Sequence, residues 1–166
     1  MREILFRGKR IDNGEWVYGY YTELPEGDIG GTLMAGTNEL LCEDTADYII
    51  SIETKQCPSF SPAYPIQVFD VDWCKVRCQT VGQYTGFTDK NGKKIFEGDI
   101  VRFDYEDDEG NDAHEDFLIF FEKGAFRAQY LGNIKCAPTI LDDIAIKEGY
   151  VFGNKWDNPE LLEVMR

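Results

Sequence analysis

Apolar and polar positions near the N-terminus alternate with the period of two that is typical of strands. This pattern predicts one strand over residues 2–7 and a second over residues 15–21, joined by a turn. The same period places Trp16, Tyr18 and Tyr20 on one side of the second strand. We expect this side to face the core, although an aromatic stripe of this kind also occurs on binding surfaces. The three residues are therefore candidate interaction residues.

Residues 81–103, VGQYTGFTDKNGKKIFEGDIVRF, combine two turns with two candidate strands. Asn91 and Gly92 form a strong hairpin signal, because both residues tolerate the positive φ of a tight turn. A second reversal is predicted at residues 97–99. The β-branched and aromatic residues 100–103 then predict a strand.

Residues 25–80 differ in composition from the segments on either side of them. They are predicted to be an irregular elaboration of the core. Strands are expected at residues 48–52 and 66–76. The loop between them, residues 57–65, contains three prolines, which resist a regular hydrogen-bonded ladder. We expect a specific function to be located in this region, since loops often carry binding residues.

The C-terminal half is predicted to contain further strands followed by a helix. Residues 117–121 and 125–131 are predicted to pair as a hairpin with its turn at Lys123 and Gly124, and residues 149–153 are predicted to form a closing strand. Asn158 is a good N-cap, so a short helix is predicted over residues 159–165.

Together these elements predict a mainly β fold, a small partly open barrel of SH3-like type, in a single domain. Residues 140–146 fit either a strand or one helical turn, and periodicity does not decide between them. The predicted parts are an N-terminal hairpin (1–24), the irregular elaboration (25–80), a barrel-like core (81–154) and a C-terminal helix (155–166).

The charge of the chain is strongly negative, with 17 basic and 31 acidic residues and a net charge of −14. Such a charge repels phosphate backbones, so nucleic acid is a disfavoured partner. The charge is compatible with a basic partner. Eight carboxylates lie within residues 104–116, which are predicted to form a solvated loop between two strands. Four of them are candidate interaction residues: Glu106, Asp107, Asp108 and Glu109.

The sequence matches none of the motifs for metal binding or catalysis that we considered. The acidic run departs from the EF-hand spacing, which leaves only weak calcium binding open. Cys74 and Cys78 would be half of a zinc site, and two core thiols on one strand face fit equally well. The single histidine, His114, lies within the acidic run. We therefore predict no catalytic residues, no cofactor, no metal site and no enzymatic activity.

The block VGQYTGFTDKNGKKIFEGDIV resembles the signature of the YopX family of bacteriophages and prophages. The N-terminal residues 1–8 and 16–20 and the C-terminal residues 150–154 and 158–162 also resemble the family pattern. The resemblance implies a shared fold and a phage origin, and it implies no particular biochemical activity.

The resulting hypothesis is a non-enzymatic phage or prophage accessory protein, a protein-interaction module in the bacterial cytoplasm. Five cysteines without a predicted signal peptide favour reduced thiols in that compartment. A host or phage protein is the expected partner, no membrane is expected, and a homo-oligomer is plausible from exposed strand edges. One alternative is a single-stranded nucleic-acid-binding module that uses the basic and aromatic N-terminal hairpin. Another is an acidic decoy for a host nucleic-acid-binding protein.

Overall fold

The prediction of a mainly β fold is confirmed. Within the residues that the structure describes, antiparallel strands predominate, the helical segments are short, and no closed barrel forms. None of the helices in this part of the chain is long and apolar enough to cross a membrane. The structure, a computed structural model, describes residues 3–25, 45–57, 66–132, 134, 136–141 and 148–165.

The chain forms two compact units, which we call the N-terminal unit (Leu5–Val81) and the C-terminal unit (Gly82–Arg166, with Met1–Ile4). In the N-terminal unit the strands are hydrogen-bonded in the order β4-β3-β2-β1, and all pairs are antiparallel. Its elements are β1 (Phe6–Lys9), β2 (Trp16–Pro25), β3 (Thr45–Cys57), β4 (Ile66–Lys75) and a 3₁₀ helix (Cys78–Thr80).

Strands β3 and β4 correct the prediction of an irregular elaboration. They pair without interruption from Tyr48, opposite Lys75, to Cys57, opposite Ile66. The predicted strands at 48–52 and 66–76 are therefore real, and β3 is longer than its sequence pattern indicated. The prolines of the predicted loop lie at residues 58–65, outside the described residues.

The sheet of this unit carries buried apolar side chains on both sides. Ala46 and Tyr48 of β3 are buried on one side. On the other side Ile49 is 1% exposed, and Cys74 and Val76 are also buried. Gly19 allows close packing on this side, because a Cβ at this position would overlap the backbone carbonyl group of Ile50.

The C-terminal unit is built from hairpins. Five of its strands form a sheet in the order β10-β9-β8-β7-β11, and β5 pairs with β6. Its elements are β5 (Gly82–Thr88), β6 (Lys94–Phe96), β7 (Asp99–Glu106), β8 (Asp112–Glu122), β9 (Ala125–Tyr130), β10 (Thr139–Ile140), β11 (Tyr150–Asn154) and a 3₁₀ helix (Pro159–Met165).

A single apolar cluster organises the described part of this unit. It consists of Ile95, Val101, Ile119, Phe126 and Leu141, and these residues come from β6, β7, β8, β9 and the residue after β10. The signature block thus supplies central core residues. Ile95 and Val101 both come from this block.

The acidic run is not a long loop, which corrects the prediction for residues 104–116. Strands β7 and β8 stay paired from Ile100, opposite Leu118, to Glu106, opposite Asp112. Only residues 107–111 form the turn. Arg102 offsets part of the charge, because its guanidinium makes two hydrogen bonds with the Asp116 carboxylate at 2.7 and 2.8 Å.

Two turns of the C-terminal unit have the same geometry. Oδ1 of Asp89 accepts backbone N–H bonds from the residues two and four positions later, and so does Oδ1 of Asp107. The fourth residue of each turn is a glycine with positive φ, Gly92 at 80° and Gly110 at 79°. Asp89 makes one further bond, since its Oδ2 accepts the N–H of Val151 at 2.9 Å.

The predicted C-terminal helix is confirmed as a 3₁₀ helix. The carbonyl of Asn158 accepts the Leu161 N–H at 3.2 Å, while its side-chain oxygen accepts the Asn154 N–H at 3.3 Å. Asn158 therefore fixes the approach to the helix rather than capping it through its side chain. For the ambiguous stretch 140–146, Ile140 lies in β10, and residues 142–146 are outside the described residues.

Candidate interaction face

The strand register of the N-terminal unit brings the predicted aromatic residues onto one side of a sheet. Tyr20 pairs with Ile50, and Ile50 pairs with Trp73. Paired residues of antiparallel strands project to the same side, as do residues two apart within a strand. We call this side the aromatic face and define it by six of its residues: Trp16, Tyr18, Tyr20, Ile50, Val71 and Trp73.

The aromatic face is open to solvent over much of its area. The exposed fractions are 47% for Tyr18, 56% for Tyr20, 40% for Val71 and 41% for Trp73. The prediction that Tyr18 and Tyr20 face the core is therefore wrong. Tyr48 lies on the same side and is buried, whereas these four side chains keep contact with water.

Three cationic residues share this side of the sheet. Arg7 and Lys9 of β1 pair with Tyr18 and Trp16, which places all four on one side. The guanidinium carbon of Arg7 lies 4.6 Å from the centroid of the Trp16 ring, and Nζ of Lys9 lies 5.4 Å from it. These cation–π contacts hold the indole ring in place. Arg7 is buried, with 4% of its surface exposed, whereas Lys9 is half-buried. Lys75, two residues after Trp73, is the third cation of this side.

Carboxylates lie on the opposite side of the same strands. Glu23 pairs with Asp47, whose Oδ1 accepts a 2.5 Å hydrogen bond from the Tyr21 hydroxyl group. This bond, with burial and the nearby negative charge, raises the pKa of Tyr21 to about 12. Asp72 also lies on this side. Among the residues of β1–β4 whose side chains are described, the register places no carboxylate on the aromatic face.

Part of this face was not recognised as a candidate in the sequence. Val71 and Trp73 contribute to it, and Lys75 follows them on the same side. The available signal was the alternation in residues 71–75, VDWCK, in which the acidic and thiol residues occupy the other side. Without the register, however, nothing in the sequence connects these residues to Tyr18 and Tyr20.

The four predicted acidic residues lie in the C-terminal unit, at one hairpin tip. Glu106 ends β7, and Asp107, Asp108 and Glu109 form part of the following turn. Hydrogen bonds from backbone N–H groups and from the side chain of Asn111 lower the pKa of Asp107. The carboxylate therefore stabilises its own turn.

No group of three or more histidine, cysteine or acidic side chains in the described ranges is placed to hold a metal ion. Cys74 is buried, and burial together with the Asp72 carboxylate raises its pKa. Cys78 is exposed at the start of the 3₁₀ helix. The interpretation of Cys74 and Cys78 as two core thiols on one strand face is therefore wrong, because the strand ends between them.

The C-terminal unit contains a concavity of about 450 Å³ with mainly apolar walls. Val101, Ile119 and Leu141 of the core cluster form part of its lining, and Glu115 and Glu148 add two carboxylates. The concavity is thus the surface of the core itself, and its lining does not include the residues that the sequence singled out.

The fold and the face define a mainly β protein with an exposed aromatic and cationic sheet surface. The YopX protein family model matches residues 5–163, nearly the whole chain. The chain belongs to the YopX family, which confirms the resemblance seen in the signature block.

A comparison with curated proteins gives no match. Among solved structures, the chain is similar to the crystal structure of protein EF1440 from Enterococcus faecalis. The two share 23% sequence identity with a TM-score of 0.49, over 98% of this chain and 99% of the other.

Proposed function

We propose that this YopX-family chain is a non-enzymatic binding module that engages its partner through the aromatic face. A phage or prophage accessory role in the bacterial cytoplasm is part of the proposal. The free thiols of Cys78 and Cys136, both exposed, support a reducing compartment.

The observation that carries the proposal is the combined exposure of Tyr18, Tyr20 and Trp73 on one side of one sheet. Isolated exposed aromatic residues are normal on protein surfaces, whereas several on one patch mark a contact surface. Tyrosine and tryptophan are also the residues that contribute most binding energy in interfaces, since their rings bury large areas at a small entropic cost.

A tagged pull-down from a bacterial host lysate tests this proposal. The test variant carries Tyr20→Ser and Trp73→Ser, which remove two rings from the face without touching the side of the sheet that carries Ile49. The control variant is Tyr105→Ser, because Tyr105 is 47% exposed and lies on β7 in the C-terminal unit. We expect a species that is captured by the wild type and by the control and lost with the double variant.

Identical capture by all three proteins would contradict a role for the aromatic face. Circular dichroism and urea unfolding of each variant would show that the sheet is intact. A fourth protein in which residues 106–109 are neutralised tests the acidic-decoy hypothesis in the same experiment, since only that hypothesis predicts loss of basic host proteins with this variant. Nuclease treatment of one half of each sample separates protein partners from nucleic acid.

A further inference from the structure

We propose that the occupant of the aromatic face is single-stranded nucleic acid, a proposal that rests on the binding role assigned to this face above. The juxtaposition behind it is an exposed row of aromatic rings bordered by Lys9 and Lys75, on a sheet surface whose described side chains include no carboxylate. Bases would stack on the rings, and phosphates would lie beside the cations.

The ring positions suit unstacked bases. Tyr18 and Tyr20 are two residues apart on one strand, which separates them by about 6.6 Å. Tyr20 and Trp73 are two strands apart, which separates them by about 9.5 Å. Both spacings exceed the roughly 3.4 Å rise of stacked bases. A strand lying on this face therefore places successive bases on protein rings instead of on one another, and a duplex cannot do so.

The cations supply the second half of the recognition. Nζ of Lys9 lies 5.4 Å from the centroid of the Trp16 ring, so its charge is held at the border of the aromatic row. The Arg7 guanidinium also lies over this ring, but Arg7 is only 4% exposed and is not offered to a phosphate. Lys75 lies on β4, which is separated from β1 by β2 and β3, so positive charge flanks the row at both ends. A ligand that combines flat apolar rings with regularly spaced negative charges matches this arrangement in both respects.

The net charge of −14 bears on the strength of binding rather than on its location. Salt screens interactions between exposed charges over about 8 Å at physiological ionic strength, so the charges nearest the ligand dominate. The register separates the charges of the N-terminal sheet, with Glu23, Asp47 and Asp72 on its other side.

Fluorescence anisotropy with labelled oligonucleotides of about twelve nucleotides, within the usual range for such surfaces, measures this binding. Oligothymidine and oligouridine separate DNA from RNA, and a hairpin duplex is the comparison ligand. We expect binding of at least one single strand, much weaker binding of the duplex, and about tenfold weaker affinity at 200 mM than at 50 mM salt. That factor corresponds to two or three neutralised phosphates.

Single substitutions test the two parts separately. Tyr20→Ser is expected to weaken binding about tenfold, whereas Tyr20→Phe keeps the ring and the affinity. Lys75→Gln is expected to reduce the slope of log affinity against log salt by about 0.7. Tyr105→Ser, in the C-terminal unit, should bind as the wild type does. A slope unchanged in Lys75→Gln together with equal affinity in Tyr20→Ser would overturn the assignment.

The outcomes also distinguish this inference from the binding role on which it rests. If no oligonucleotide binds at low salt while the pull-down still loses a protein with Tyr20→Ser and Trp73→Ser, the nucleic-acid assignment is wrong and the binding module stands. Binding of a glutamate- and tyrosine-rich peptide in place of the oligonucleotides would lead to the same conclusion. If neither assay depends on the two rings, both proposals are wrong.

Discussion

Replacing Asp89 with asparagine tests how the signature hairpin is tied to the sheet of the C-terminal unit. Asp89 is only 5% exposed. Its Oδ1 accepts the N–H groups of Asn91 and Lys93 at 2.8 and 2.9 Å, and its Oδ2 accepts that of Val151 at 2.9 Å. An asparagine keeps the shape, but its NH₂ group must then face at least one of these N–H donors.

The expected cost follows from which donor is left without a partner. Asn91 and Lys93 are exposed, so water can replace a bond to either N–H group. Val151 is half-buried on β11, where its N–H group is harder to hydrate. A hydrogen bond to a charged acceptor contributes about 1.5–3 kcal/mol, so Asp89→Asn should lower the free energy of unfolding by about 2–3 kcal/mol.

Urea unfolding followed by tryptophan fluorescence measures this change. The matched control is Asp107→Asn, because Asp107 makes the same two turn hydrogen bonds at an exposed hairpin tip and has no bond equivalent to that with Val151. We expect a clear fall in the urea midpoint for Asp89→Asn and a much smaller one for Asp107→Asn. Equal falls would refute the argument, since burial and the Val151 bond would then contribute nothing.

The same carboxylate predicts a pH dependence. Burial raises the pKa of Asp89, but the N–H groups of Val151, Lys93 and Asn91 and the charge of Lys93 outweigh burial, so the pKa is lowered overall. The folded state then binds fewer protons than the unfolded state. The stabilisation is therefore present above the unfolded pKa of about 4 and is lost as pH falls through the folded value. Asp89→Asn should show a smaller loss of stability on acidification from about pH 5 than the wild type.

Two further substitutions test the packing of the C-terminal unit in urea unfolding experiments. Gly98→Ala should cost about 2 kcal/mol more than Gly110→Ala: both glycines have φ near 80°, but only at Gly98 would a Cβ overlap the Trp156 ring. Similar costs would contradict this packing. Asp116→Asn should cost about 2–3 kcal/mol, because it leaves the mostly buried Arg102 guanidinium without its carboxylate. A double-mutant cycle with Arg102→Gln that shows no coupling energy would contradict a role for the pair.

Local signals in the sequence were sufficient for much of the fold. Asn91 and Gly92 predicted the first turn of the signature block, and Lys123 and Gly124 predicted the β8–β9 turn, where both have positive φ. The glycine positions are predictable because Gly92 at 80° and Gly124 at 81° adopt the left-handed conformation that favours glycine. The strand of residues 100–103 was predictable for a similar reason, since β-branched and aromatic residues fit a packed sheet.

The acidic run and the aromatic face were wrongly interpreted because both depend on pairing between distant segments. The carboxylates of residues 104–116 suggested a loop, yet backbone pairing and the Arg102 guanidinium support a ribbon there. Tyr18 and Tyr20 suggested a core stripe, yet both are exposed, while Ile49 and Cys74 on the other side of the sheet are buried. A period of two reveals that a strand has two sides, but only the register shows which side is buried.

The paired aspartate turns have a practical consequence for handling this protein. One turn is anchored to β11 through Val151, whereas the turn at residues 107–111 stands at the end of a ribbon and makes its carboxylate bonds within itself. Exposed tips of this kind are where polypeptides accept foreign segments. A tag or a spectroscopic label inserted after Glu109 should therefore leave the core cluster and the aromatic face undisturbed, and the equivalent position after Asn91 should not be used.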